Sequence, residues 1–260
     1  MNARVEIVAR TTEVAGLPVH RRQAGQAPVL YLHGVPTSSF DWIPLLERCG
    51  GVAPDLPGFG RSAKPGSFDY SIEGYDRFLE SFVEHAGLGR FSLVVHDWGC
   101  VGLALAQRFP ERVERLVLFS TVPLLPGFEW HRVARGWRTP VVGELMMGFT
   151  RRFSLRRELP RELADHAWEC FDHGTQRAIL RLHRSAPPEL LARAGEGLGE
   201  LRCPALVLWS TDDPYFAPEF GQRYADALGG EVELEQVGGG HWSWHTQPEL
   251  LARAASFLGA

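Results

Sequence analysis

The chain has 260 residues, of which 45% are hydrophobic and 22% charged, a balance that indicates one globular domain and excludes intrinsic disorder. The formal net charge of -4 gives no reason to expect nucleic acid or an anionic membrane as a partner. The four cysteines lack the paired spacings of zinc or redox sites, so we expect reduced thiols in a cytoplasmic protein. Residues 1–6 lack a secretory apolar segment, and no later run predicts a membrane span.

The first half of the chain alternates between strand and helix patterns. Residues 5–10 and 17–23 predict an antiparallel hairpin at a sheet edge, because Gly16 marks a turn between them. Residues 28–34 form a continuous apolar run, which is typical of a strand buried on both faces in a parallel sheet. The segments that follow are predicted as helix 40–48, strand 51–54, loop 55–62, a helix from 71, strand 91–95, helix 99–109 and strand 113–119. This alternation predicts an α/β fold with a doubly wound, mostly parallel sheet.

Strand patterns disappear between about residues 121 and 201, where helical patterns follow one another. We predict a helical cap insertion at 121–201, carried by a core domain made of residues 1–120 and 202–260. Strand character resumes at 205–209 and 232–237, and an amphipathic helix at 247–258 ends the chain.

Three predicted strand ends are each followed by a residue able to take part in catalysis. Asp97 follows one strand, Asp212 and Asp213 follow a later one, and His241 follows the last strand through three glycines. Ligands of an open α/β sheet bind outside the carboxyl ends of its strands. We therefore expect these side chains to lie close together.

A carboxylate nucleophile suits displacement at a saturated carbon, since attack on an ester or amide would give a mixed anhydride. We expect Asp97 to displace a leaving group from a small apolar substrate and form an alkyl-enzyme ester. His241, oriented by Asp213, would then deprotonate the water that hydrolyses this ester. Backbone N–H groups of Val35 and Trp98 are the expected oxyanion donors. This chemistry calls for no metal and no cofactor.

Four motifs give the chain a resemblance to the haloalkane dehalogenase and epoxide hydrolase branch of the α/β-hydrolases, whose nucleophile, acid and base follow in this chain order. The motifs are residues 33–39 (HGVPTSS), 54–62 (PDLPGFGRS), 96–99 (HDWG) and 240–241 (GH). The resemblance implies the α/β-hydrolase fold with a cap, and a covalent two-step hydrolysis.

The orienting acid and the base each have an alternative residue close by in the sequence. Asp213 is preferred to Asp212 as the orienting acid, because an Asp-Pro step after a short polar turn fits the family pattern. His241 is preferred to His245 as the base, because glycines precede it. His33 is interpreted as a hydrogen-bond donor that braces a loop, not as a proton shuttle.

Haloalkane dehalogenases and epoxide hydrolases differ in how they stabilise the leaving group. In the dehalogenases the indole N–H of the tryptophan after the nucleophile binds the halide, which matches Trp98. A second donor is an asparagine at the position of Val35 or, in one subgroup, a tryptophan of the cap. The cap candidates here are Trp130, Trp137 and Trp168.

Epoxide hydrolases instead protonate the epoxide oxygen with cap tyrosines, and none of the five tyrosines lies between residues 121 and 201. A cap histidine could replace them, since imidazolium is a competent donor near neutral pH. The candidates are His131, His166, His173 and His183. We favour dehalogenation, keep epoxide hydrolysis as the alternative, and note that the same scaffold also serves non-hydrolytic ligand binders. Substrate size, stereochemistry and oligomeric state are not predicted.

Overall fold

Eight strands form one sheet in residues 6–260, the part of the chain that the computed structural model describes. They are β1 (Ile7–Val14), β2 (Leu17–Ala24), β3 (Val29–Leu32), β4 (Gly51–Pro54), β5 (Phe91–Asp97), β6 (Val113–Thr121), β7 (Ala205–Ser210) and β8 (Val232–Val237). The order across the sheet is β1-β2-β4-β3-β5-β6-β7-β8. The pairs β1–β2 and β2–β4 are antiparallel, and all later neighbours are parallel. The predicted edge hairpin is confirmed, except that Val5 lies outside the described residues.

Helices cover both faces of the sheet, as the alternation of patterns predicts. The twelve α-helices of the described chain are α1 (Ile43–Cys49), α2 (Ile72–His85), α3 (Val101–Arg108), α4 (Arg132–Arg138), α5 (Val142–Phe149), α6 (Arg152–Glu158), α7 (Arg161–Glu169), α8 (His173–Ser185), α9 (Pro188–Ala194), α10 (Glu219–Ala227), α11 (Ser243–Thr246) and α12 (Pro248–Leu258). Leu93 of β5 packs in one apolar cluster with α2 and α3, and Val94 in another with α1 and α12. This arrangement confirms the α/β-hydrolase fold.

Six of these helices, α4 to α9, lie between β6 and β7. They contribute to both apolar clusters, through Ile179 of α8 on one side and Leu163 of α7 on the other. The helices occupy residues 132–194, inside the predicted insertion, and the division of the chain at residues 121 and 201 stays a prediction.

Several element boundaries differ from the predicted ones, and three of the differences have a physical reason or bear on the site. β1 continues past residue 10 to Val14, because its polar residues also pair with β2. β5 runs to Asp97 instead of residue 95, since it pairs with β6 as far as Thr121. The helix predicted from residue 99 begins at Val101, after a 3-10 turn formed by Trp98–Cys100.

Residues 6–260 contain neither a membrane-spanning helix nor a cluster of metal ligands. No helix there is long and apolar enough to cross a membrane. No group of three or more His, Cys, Asp or Glu side chains in that range could hold a metal ion.

Candidate active site

Asp97 occupies a strained turn between β5 and the helix that follows. Its φ of 48° lies in the left-handed region that side-chain-bearing residues rarely adopt. The turn brings Gly34 so close that a Cβ there would lie 2.6 Å from the Cβ of Asp97, and a Cβ on Gly99 would lie 2.3 Å from the carbonyl oxygen of Leu32. Both glycines are therefore needed for the carboxylate to project at the end of the sheet.

The two oxygens of the Asp97 carboxylate have different surroundings. Oδ2 accepts the backbone N–H of Val35 at 2.8 Å, while Oδ1 lies 3.8 Å from Nε2 of His241. Burial raises the pKa of Asp97, and His241 together with the N–H groups of Val35 and Trp98 opposes that rise. These groups favour the ionised form, which is the form able to attack carbon.

His241 lies between two carboxylates, and its tautomer follows from its contacts. Nδ1 is 2.7 Å from Oδ2 of Asp213, whose other oxygen accepts the backbone N–H groups of Tyr215 and Phe216 at 2.8 and 3.2 Å. A carboxylate so held accepts the Nδ1–H, which leaves the lone pair of Nε2 directed toward Asp97. Burial lowers the pKa of His241, but Asp213 and then Asp97 outweigh it and raise the pKa above its usual value.

The predicted choices between neighbouring residues can be compared with these contacts. Asp212 does not contact His241: its carboxylate accepts the N–H of Gly240 at 2.9 Å and so fixes the glycine run before the histidine. His245 lies in α11 and does not line the cavity that contains Asp97. The structure therefore brings together Asp97, Asp213 and His241, the three residues that the sequence favours.

His33 braces the loop that carries the Val35 N–H. Its Nε2 accepts the N–H of Leu56 at 2.9 Å, so Nδ1 carries the hydrogen and donates to the carbonyl of Gly34 at 2.7 Å. That carbonyl belongs to the same peptide unit as the Val35 N–H. The bond consequently holds the N–H in its direction toward Asp97.

A cavity of about 510 Å³ lies between the sheet end and the helices α4 to α8. Asp97 and His241 line it together with Trp98, Trp130, Met147 and Phe153, among other mainly apolar and aromatic side chains. This volume and lining are typical of a site for a small apolar molecule.

The tryptophans of the predicted cap differ in their hydrogen bonds and in whether they line the cavity. The indole N–H of Trp130 donates to the carbonyl of Ala186 at 2.8 Å, and Trp168 does not line the cavity. Trp137 lines the cavity, with its ring 4.9 Å from that of His183. The indole N–H of Trp98 itself donates to Nε2 of His183 at 3.3 Å.

Only two of the four candidate histidines line the cavity, namely His131 and His183. Burial lowers the pKa of His131 to about 4 and that of His183 to about 3. Both rings are therefore neutral near pH 7, so neither supplies the imidazolium that the sequence interpretation invoked for an epoxide. His166 packs on Phe40 instead, and His173 is exposed.

Tyr215 lines the cavity, although the sequence interpretation did not select it. It lies outside residues 121–201, the predicted cap, where the resemblance places the epoxide-binding tyrosines. Its ring is 4.9 Å from that of His241, and its hydroxyl donates to Glu158 at 2.6 Å. The signal in the sequence was its position two residues after Asp213, at the same strand end.

The chain belongs to the α/β-hydrolase family, whose family model matches residues 29–254. It is 29% identical to a haloalkane dehalogenase of Bradyrhizobium diazoefficiens, over 98% of this chain and 95% of that protein. It is 32% identical to haloalkane dehalogenase 2 of Mycobacterium bovis, over 87% of this chain and 86% of that protein.

The fold comparison agrees with these sequence similarities. The crystal structure of a haloalkane dehalogenase from Bradyrhizobium elkani superposes with a TM-score of 0.84 at 26% identity, covering 98% of both chains. These similarities confirm the predicted haloalkane dehalogenase branch of the family, and with it an enzyme of the hydrolase class.

Proposed function

We propose that this enzyme hydrolyses haloalkanes by attack of Asp97 on the carbon that bears the halogen. The observation that carries the proposal is the buried Asp97 carboxylate, which faces an apolar cavity with one oxygen held by the Val35 N–H and the other near His241. The names of the dehalogenase relatives support the choice of substrate. Residues 121–201 act as the cap of this site, and the four unpaired cysteines fit a cytoplasmic location.

In the proposed reaction the two carboxylate oxygens have separate roles. Oδ1 attacks the carbon, the carbon–halogen bond breaks, and the halide leaves with the bonding electrons. Oδ2 becomes the carbonyl oxygen of the ester and already accepts the N–H of Val35. The same N–H, with that of Trp98, stabilises the oxyanion when the ester is hydrolysed.

Hydrolysis of the ester depends on His241. Its Nε2 takes a proton from water, and the resulting hydroxide adds to the ester carbonyl of Asp97. Asp213 stabilises the imidazolium and fixes the ring. Collapse of the tetrahedral intermediate breaks the bond between Cγ and Oδ1 of Asp97, so that Oδ1 leaves with the alkyl group and takes the proton of the His241 imidazolium to give the alcohol. Loss of the remaining proton to solvent restores the carboxylate.

His241→Phe tests this mechanism directly, because it removes the base and leaves the nucleophile. We expect 1-bromoalkanes to leave an alkyl group on the peptide that contains Asp97, detected by mass spectrometry. Asp97→Asn should give no adduct, and His245→Phe, which alters a histidine outside the cavity, should turn over without accumulating one. An active wild-type enzyme whose His241→Phe variant carries no adduct on Asp97 would contradict the proposal.

Epoxide hydrolysis is a second candidate, and two observations favour it. The Trp98 indole N–H donates to His183, and Tyr215 lines the cavity with its ring 4.9 Å from that of His241. Measuring halide release from bromoalkanes beside diol formation from epoxides distinguishes the two reactions. A Tyr215→Phe variant that loses diol formation alone would identify the tyrosine as the group that protonates the epoxide oxygen.

A further inference from the structure

The indole N–H of Trp98, the halide donor that the family resemblance implies, donates to a side chain in this structure. Its partner is Nε2 of His183, at 3.3 Å, in the last turn of α8. Both residues are buried and both line the cavity beside Asp97. A leaving halide that accepts this N–H therefore meets the imidazole of His183.

The contacts of His183 fix its tautomer. Nδ1 lies 2.8 Å from the carbonyl oxygen of Ile179, one turn earlier in α8. A carbonyl only accepts, so Nδ1 carries the hydrogen and Nε2 of the neutral ring presents a lone pair. The Trp98 N–H donates to that lone pair, and both ring nitrogens are satisfied.

The surroundings of His183 keep the ring neutral in the resting enzyme. The rings of Trp98, Trp130 and Trp137 lie within 5.1 Å of it. The titratable and charged groups that face it are His131 and Arg138, whose guanidinium donates to the carbonyl of His183. In residues 6–260 no carboxylate forms a hydrogen bond or ion pair with this ring. Burial, with these two groups, lowers its pKa to about 3.

A halide beside Trp98 meets an unfavourable partner as long as His183 is neutral, because the Nε2 lone pair repels an anion. One proton on Nε2 reverses this interaction, since the nitrogen then donates to the halide and an ion pair forms. The change requires no rearrangement at Nδ1, which donates to Ile179 in both states.

We propose that His183 is the second residue of the leaving-group site: a halide replaces the direct hydrogen bond between the two rings, accepts the N–H of Trp98, and accepts a second N–H from His183, whose Nε2 gains one proton. The proposal rests on the proposed function, because it concerns the anion which that reaction releases. The proton is taken from solvent as the halide binds and is returned when the halide leaves. Turnover therefore still converts haloalkane and water into alcohol, halide and one proton.

Coupled binding of a halide and a proton has a quantitative signature. Where the free ring is neutral and the halide-bound ring is protonated, the apparent Kd for halide rises about tenfold for each unit of pH. By the same linkage, halide raises the pKa of His183. His241 lines the same cavity and has a raised pKa, so its protonation also couples to an anion there, and the comparison is made in the His241→Phe background. In that background a site made only of uncharged N–H donors shows no such slope.

Sodium bromide is the probe, titrated between about pH 5 and pH 8 at constant ionic strength held with sulfate. Binding is measured by tryptophan fluorescence, with Trp98→Phe as the control for signal from this site. Nitrogen-15 NMR of labelled histidines reports whether Nε2 of His183 gains a hydrogen at saturating bromide. We expect the tenfold slope and a protonated Nε2. A Kd independent of pH, an unprotonated Nε2 in the complex, or no bromide binding in this range overturns the proposal.

His183→Asn replaces the titrating ring by an amide that can donate without gaining a proton. We expect this variant to bind bromide with no pH slope and more tightly than wild type at pH 8. His131→Asn is the matched control, because His131 is the other cavity histidine with a lowered pKa, and the slope should persist in it. A slope that persists in His183→Asn, or disappears in His131→Asn, contradicts the assignment.

The outcomes distinguish a failure of the role proposed for His183 from a failure of the proposed reaction. If His241→Phe is alkylated by bromoalkanes while bromide binds independently of pH, the reaction stands and the role of His183 fails. If bromide binds with the expected slope and no haloalkane gives an adduct, the anion site stands and the proposed substrate fails.

Discussion

His241 is buried between two carboxylates, and this position determines how its activity should depend on pH. Burial acts against the charged ring, and Asp213 and Asp97 overcome that effect, so the pKa is raised above the usual value near 6.5. A base with a raised pKa stays protonated to higher pH. Hydrolysis of the ester should therefore decline as the pH falls through this raised value.

Asp213→Asn should move the acid limb of the hydrolysis step to lower pH, because the carboxylate that most raises the pKa of His241 is gone. The plateau should also fall, on the order of a thousandfold, since the amide no longer orients the ring. The measurement is the pH profile of ester hydrolysis in single-turnover experiments with a bromoalkane.

Asp212→Asn provides the matched control for that experiment. Asp212 is the adjacent carboxylate, but it binds the glycine run and not the histidine. We expect its acid limb to stay at the wild-type position. An unmoved limb in Asp213→Asn would show that another group sets the titration of the base.

At the residue scale, the sequence predicts those groups whose chemistry requires a fixed position at a strand end. Asp97, Asp213 and His241 meet in space because parallel strands deliver their carboxyl ends to one edge. His183 and Tyr215 are different, because their importance comes from what they touch. The contact between Trp98 and His183 joins residues 85 positions apart, and no periodicity or spacing encodes it.

Among the elements, α8 matters most for the leaving-group site, because it carries both His183 and Ile179. The N-cap of this helix is Asp172, whose Oδ1 accepts the N–H of Thr175 at 2.9 Å. The same carboxylate pairs with Lys64 at 3.0 Å, and because the Asp172 side chain is 62% exposed this ion pair contributes little. The N-cap hydrogen bond to the Thr175 N–H is therefore the main stabilising contribution of Asp172.

Asp172→Ala should lower the free energy of unfolding by about 1 kcal/mol, the usual cost of losing an N-cap side chain. Asp172→Asn retains an oxygen for the Thr175 N–H and removes the charge, so it should cost clearly less. Urea denaturation followed by circular dichroism measures both variants. Equal losses in the two would mean that the ion pair with Lys64, not the cap, stabilises this end of α8.

β5 illustrates why element ends are harder to predict than elements. Its apolar run ends at Val95, so the sequence predicts that the strand ends there. In the structure the backbone of His96 and Asp97 continues to pair with β6, through an irregular register. Pairing depends on the neighbouring strand, and the hydrophobic pattern of one segment does not contain that information.

Over the whole molecule, most of the large apolar side chains exposed in residues 6–260 lie on α4 to α6 and the turn before α5. They are Val133, Val141, Val142, Leu145, Phe149 and Phe153. Val133 and Phe153 also line the cavity, so this exposed apolar patch borders the site. A long apolar substrate can extend from the cavity onto it.

Phe153→Ser should raise KM for long-chain bromoalkanes about fivefold, corresponding to about 1 kcal/mol of lost apolar contact, and leave short-chain KM nearly unchanged. Phe149→Ser is the matched control, since Phe149 is 74% exposed, compared with 69% for Phe153, and does not line the cavity. Steady-state kinetics over a series of chain lengths provide the comparison. Equal effects of the two substitutions on long substrates would place the contact outside the mouth of the cavity.

The sheet could be predicted from the sequence because most of its parallel strands are apolar runs between helical patterns, although the edge strand β8 interleaves apolar and polar residues. The arrangement of α4 to α9 could not. These helices are short, and α8 packs through Ile179 and His183 against side chains distant in the sequence. Their positions depend on tertiary contacts, which decide the size of the cavity and the surroundings of Trp98.

The proposed catalytic residues also differ in their place along the chain. Asp97 belongs to the first half of the chain, whereas Asp213 and His241 belong to its last quarter, after α4 to α9. A domain folds as a unit, so the end of the sheet is complete only when β7 and β8 have been made. A chain that ends before β7 therefore lacks both the acid and the base that would hydrolyse the proposed ester of Asp97.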